Sequence, residues 1–161
     1  MTSTTPDVDP TATGTPTVSG PASATELAAV AAALTGERAA VYGYGVVGGQ
    51  GGPAERAAAR RQLTWHSAQR DVLAAWLASA GTTAPPPAPA YALPFAVAGA
   101  DDARRLGLHI EQGLAAVYAD LVAAVPAARR AQPAGWLVRC AAQARGWGAP
   151  LEPFPGLPER S

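Results

Sequence analysis

Five side chains in this sequence, Glu37, His66, Arg70, Asp71 and Glu111, have the types and spacing to do chemistry inside a protein. Counted in threes and fours, Leu27, Val30, Leu34, Glu37, Val41, Tyr44 and Gly48 form one helical stripe with a carboxylate in its apolar middle. A carboxylate at a core position must meet a partner, give up its charge or hold a cation. A second stripe, Ala59, Leu63, His66, Arg70, Leu73 and Leu77, carries a histidine and an arginine. A third, Leu108, Glu111, Ala115, Tyr118, Val122 and Val125, carries another glutamate. In one reading these groups satisfy each other, with Arg70, Asp71 and Arg38 neutralising a buried polar cluster around Glu37, His66 and Glu111. In the other, Glu37, His66 and Glu111 ligate a single divalent ion, Fe, Mn or Zn, together with water. An arginine one turn from His66 competes with any cation for the carboxylates, so a cluster without a cofactor is the expectation and one divalent metal the alternative. A small acidic or aromatic ligand held by Arg70 and the Trp/Tyr lining is a third use of the same residues.

Four helices are needed to position these groups. Ser23-Ala24-Thr25-Glu26 fits a capping box and starts a helix over about 24–48, which stops in the glycine run 48–52. Pro53 suits the first turn of a second helix over about 54–80, which Gly81 ends. The Pro-rich stretch 82–100 is extended rather than helical. It is long enough to cross the length of a bundle, with Tyr91, Leu93 and Phe95 to hold it down. A third helix covers about 101–125, with Asp101 and Asp102 at its positive end and His109 on a solvated stripe. A short fourth helix, about 133–146, turns Trp136, Cys140, Gln143 and Ala144 inward, and the apolar Pro-rich segment 147–157 straps back over the bundle. Glu37 and His66 lie at similar distances from the glycine linker, so an antiparallel pair of helices brings them to one level. The long connection can deliver Glu111 there too.

Gly43-Tyr44-Gly45-Val46-Val47-Gly48 matches the dinucleotide fingerprint G-x-G-x-x-G letter for letter. That motif requires a strand before it and a helix after it, whereas here an Ala-rich helical period precedes it and a glycine linker follows. Its glycines are read instead as places where neighbouring helices or rings come close.

The chain has 161 residues, formal net charge zero and 15% charged residues, which leaves no basic footprint for nucleic acid or an anionic membrane. Every basic residue is arginine, as GC-rich actinobacterial coding produces. The single cysteine, Cys140, excludes an internal disulfide and multi-cysteine metal motifs and reads as a small buried filler. Residues 1–22 read as a disordered polar tail without the features of a signal peptide. No stretch reaches the roughly 20 apolar residues of a membrane helix, so a cytoplasmic protein is expected.

The run Glu37 to Gly45, His66-Ser-Ala-Gln-Arg70-Asp71, Tyr91-Ala-Leu-Pro94, Glu111 to Tyr118, and Trp147 with Phe154-Pro-Gly-Leu157 together resemble an actinobacterial ferritin-like domain family of unknown function. The resemblance covers about 24–157 and implies an all-α, ferritin-like four-helix bundle. Two-iron sites of that architecture draw a Glu from each of two helices and Glu-x-x-His from each of the other two. Here Leu63 stands where the second helix needs its Glu, and the fourth helix offers Arg139, Gln143 and Trp147 at the matching level. The expectation is therefore a non-catalytic protein with a degenerate di-iron site turned into a polar cluster, acting as a homodimer or with another protein.

Overall fold

Ser23 starts the first helix as expected: its hydroxyl accepts from the Glu26 N–H at 3.1 Å. The Glu26 carboxylate does not complete a capping box but, itself buried, pairs with Arg129 in the turn that joins the last two helices. In the computed structural model, which describes residues 20–150 and 155–157, the chain forms helices α1 (Ala24–Gln50), α2 (Pro53–Ser79), α3 (Ala100–Ala124) and α4 (Ala131–Gly146). A 3-10 turn, Ala127–Arg129, precedes α4. The described residues contain no strand, and the fold is an all-α four-helix bundle. Of the proposed polar tail, residues 1–19 lie outside the described residues, as do 151–154 of the C-terminal strap. Within the strap, Gly156, at φ +79°, lies against the Ala115 carbonyl of α3, where a side chain would collide with backbone.

The ends of α2 follow the sequence closely. Pro53 occupies its first turn. At the other end Gly81 takes φ +68°, its N–H bonds Ala78 O, and the Thr82 N–H bonds Leu77 O. That is a Schellman stop, which an L-residue with a side chain at position 81 would strain.

Helix directions follow from facing residues. Gly51 and Gly52 make a tight link, so α1 and α2 are antiparallel. Gly36 faces Leu114 and Gly43 faces Ile110, so α3 is also antiparallel to α1 and thus parallel to α2. Trp136 packs on Tyr118 and Trp147 on Gly107, which makes α4 antiparallel to α3. The non-helical connection 80–99 runs beside α1: Arg38 donates to Pro85 O, and the Tyr91 ring lies 5.7 Å from Tyr42. Leu93, Phe95 and Val97 pack around Tyr44 and Val47. One core cluster holds Val30, Leu34, Leu73, Leu77, Leu114, Tyr118 and Leu121; a second holds Tyr44, Val47, Ala59, Ala103 and Leu106. Among the described residues no helix is long and apolar enough to cross a membrane.

The α2 face is rotated from the expected stripe. Gln62 and Gln69 are buried, while Leu63 is 37% exposed and Arg70 sits at the edge. The glutamines share the His66 face at spacings of four and three, which places Leu63 and Arg70 on the flank. The fingerprint 43–48 lies wholly within α1. A Cβ on Gly43 would stand 2.7 Å from Ile110 Cδ1, so this glycine serves helix approach and not phosphate binding.

Candidate functional site

Glu37 from α1, His66 from α2 and Glu111 from α3 meet at the centre of the bundle, each 0% exposed. His66 Nδ1 lies 2.7 Å from Glu37 Oε2, and His66 Nε2 lies 3.2 Å from Glu111 Oε1. The imidazole thus stands between the two carboxylates, one ring nitrogen to each. Tyr44 OH donates to Glu111 Oε1, and Tyr118 OH donates to Glu37 Oε1. Trp147 Nε1–H extends the chain by donating to Tyr44 OH at 3.1 Å. One hydrogen-bonded line therefore runs Trp147, Tyr44, Glu111, His66, Glu37, Tyr118. The His66 ring is stacked on Tyr44 (5.2 Å, 18°) and edged by Trp65 at 4.6 Å.

The line has an internal symmetry. Tyr44 follows Glu37 by seven residues on α1, and Tyr118 follows Glu111 by seven on α3. Seven residues are about two turns, or ~10 Å, and keep both groups on one face. Because the helices are antiparallel, each tyrosine reaches the other helix's glutamate. The paired Glu-x6-Tyr spacing is visible in the sequence. Both tyrosines lie on the inward stripes that the sequence shows, but nothing local to either marks it as a donor.

Electrostatics favour a charged imidazole. Burial alone pulls the His66 pKa down, but hydrogen bonds to Glu111 and Glu37 and the charges of these carboxylates outweigh it and lift it to about 9. At neutral pH His66 is an imidazolium, and both ring nitrogens donate. Burial, then the charge and hydrogen bond of the facing glutamate, pushes the Tyr44 and Tyr118 hydroxyls far above the ordinary tyrosine range. Both remain neutral donors. Cys140 on α4 lies beside the same carboxylates, and burial followed by their charges raises its thiol. The sequence reading of Cys140 as a buried residue, 0% exposed, agrees with this placement.

Arg70 and Asp71 are not part of the cluster. They pair with each other at 2.8 Å, with side chains 35% and 68% exposed. Arg38 leaves for Pro85 O. The rotation of α2 sets Arg70 at the bundle edge, where its guanidinium reaches water and avoids desolvation. The imidazolium therefore supplies the positive charge expected from arginine. His109 is exposed, with its ring edge toward Phe95.

The donor set does not fit a metal in this arrangement. The ring nitrogens of His66 point away from each other, each toward a different carboxylate, so Glu37, His66 and Glu111 do not converge on one point. Among the described residues no group of three His, Cys, Asp or Glu side chains is arranged to hold an ion. Glu111 Oε2 is buried and, among the described residues, is the one carboxylate oxygen of this pair without a hydrogen-bond partner.

Residues 29–159 match the model of a family described as "Domain of unknown function (DUF4439)". A solved structure described as a conserved hypothetical protein, rv2844, from Mycobacterium tuberculosis is similar at 30% identity and a TM-score of 0.73. The match covers 80% of this chain and 94% of that one. A search of curated proteins finds no match.

Proposed function

The chain belongs to the DUF4439 family of domains of unknown function, and we propose that it is a non-catalytic, ferritin-like protein whose central polar level serves structure and not metal chemistry. Support for the ferritin-like ancestry comes from the inward Glu on α1 and α3, the His on α2, and the parallel α2 and α3 joined by a long connection. The motif of a two-iron site would put a Glu at position 63, where this chain has Leu63, and α4 carries neither a carboxylate nor a histidine. An arginine-only basic complement and the mycobacterial origin of the similar structure support an actinobacterial source.

One observation carries the reading: each ring nitrogen of His66 lies within hydrogen-bond distance of a different buried carboxylate, an arrangement that favours an imidazolium in the place a cation has in a metal-loaded bundle. Such a protein works through its surface, with a second copy or another protein as partner.

The test is metal content by mass spectrometry after purification without chelator and reloading with Fe(II), Mn(II) or Zn(II), run beside nitrogen-15 NMR of the histidines. The expected result is a doubly protonated His66 at pH 7 whose signals do not move with any of the three ions. Near-stoichiometric metal that Glu37→Ala and His66→Ala both lose would overturn the reading in favour of a one-metal site.

A further inference from the structure

The four helices do not close on each other equally. α1 packs on α2 and on α3, and α3 packs on α4, but no Cα of α4 comes within 8 Å of α2. What spans the seam between α2 and α4 is side chains. Gln62 Nε2 donates to Gln143 Oε1, and the Arg139 guanidinium lies 4.6 Å over the Trp65 ring. Both contacts are of modest strength, and Arg139 is exposed to water that competes for it.

Directly behind this seam lies the polar cluster. Trp65 precedes His66 on α2 and edges its ring, while Cys140 follows Arg139 on α4 and sits against Glu111. The buried oxygens without a hydrogen-bond partner among the described residues are Gln62 Oε1, in the seam, and Glu111 Oε2, behind it. Both are acceptors, and an acceptor buried without a donor is a site for water or a small donor solute. On the opposite side Gly36 and Gly43 bring α1 and α3 together against Leu114 and Ile110, and the cavity of about 320 Å³ there is lined mostly by apolar side chains such as Leu93, Ile110 and Val117, with no buried unpartnered acceptor among its lining residues.

We propose that the seam between α2 and α4 opens, by breaking the Gln62–Gln143 and Trp65–Arg139 contacts, to admit water and small polar solutes to Glu111 and His66 while α1, α2 and α3 stay packed. Opening at the Gln62–Gln143 end of the seam exchanges two side-chain contacts for water while Leu73 and Leu77 of α2 and Trp136 of α4 stay in their shared core cluster, so it is a local event below global unfolding. This goes beyond the structural reading of the cluster and stands or falls separately from it.

Cys140 is the chain's single cysteine and lies behind the seam, which makes it a clean reporter. Iodoacetamide alkylation, in which the thiolate forms the S–C bond, iodide leaves and the thiol proton goes to solvent, is followed by intact mass in increasing urea. Arg139→Ala and Gln143→Ala are compared with wild type and with Leu121→Ala, a core variant whose side chain takes no part in the two seam contacts. The expected result is an alkylation rate nearly independent of low urea in wild type. The combined seam variant should be faster by about tenfold, at a rate its change in unfolding midpoint does not account for. Leu121→Ala should speed labelling only near its own unfolding transition. Labelling that rises with urea along the global unfolding curve in all variants would overturn the proposal. So would seam variants that label no faster than wild type.

Discussion

The α1–α3 contact and the α2–α4 seam both carry polar side chains, yet one holds them in a dry interior and the other in a thin wall. Across α1–α3, glycines bring the helices together and two tyrosines cross over to each other's glutamate, with His66 set between the two carboxylates. Every group of that set is held from at least one other helix and removed from water. Across α2–α4 the helices stand apart, and a glutamine pair and one cation–π contact bridge the gap. Polar residues stabilise a core the more completely they are partnered, and in this set only Glu111 Oε2 lacks a partner among the described residues; the same residue types at a wide, half-wet interface contribute little.

Removing the central cation is expected to break this contrast most severely. In His66→Ala two buried carboxylates face each other uncompensated, at a cost of about 3–5 kcal/mol in urea unfolding. A loss near that of an ordinary surface substitution would show that the cluster is not charged as described.

The next largest effect is that of pH. The folded pKa of His66, about 9, lies above its unfolded value near 6.5. Its contribution is therefore fully present below pH 6.5 and lost as pH rises through 9, on the order of 3 kcal/mol if the whole shift is expressed. Unfolding free energy measured from about pH 6 to about pH 8 should fall in wild type and not in His66→Ala, whereas above the ordinary thiol range the raised Cys140 adds a fall common to both.

Tyr44→Phe and Tyr118→Phe sharpen the comparison by probing its symmetry. Each removes one donor to a buried carboxylate and should cost about 1.5–3 kcal/mol. The two values should be similar, because the two bonds are reciprocal. Tyr44→Phe also strands the Trp147 indole N–H, so its cost should be the larger of the pair; the reverse order would argue against the hydrogen-bonded line running to Trp147.

The smallest change belongs to the seam. Gln143→Ala should cost about 0.5–1.5 kcal/mol by thermal or urea unfolding, because its lost bond is replaced by water at a half-buried site. A cost approaching that of His66→Ala would erase the distinction between the two regions.

Much of this architecture is legible in the chain. Ser23, Pro53 and Gly81 mark helix boundaries because each has a backbone role that is local and stereochemical. Glu37, His66 and Glu111 stand out because a charge in an apolar stripe is a local anomaly. Arg70 reads wrongly for the opposite reason. It sits in register with His66, and a rotation of the whole helix by a fraction of a turn, which no local signal records, moves it to the edge and brings Gln62 and Gln69 inward. The Glu-x6-Tyr spacing on two helices is present in the sequence, but its meaning depends on the helices being antiparallel at one register.

By itself the sequence determined where helices begin and end, that carboxylates and an imidazole must lie inside, and that the 43–48 glycines belong to a helix. Those properties follow from side-chain period, capping chemistry and the cost of burying charge, all of which act within a few residues. Only the tertiary structure decided that a histidine, and not an arginine, neutralises the glutamates, that tyrosines cross between helices, and that α4 stands off from α2. Each of these depends on helix rotation and separation, which long-range packing sets and no short stretch of chain encodes.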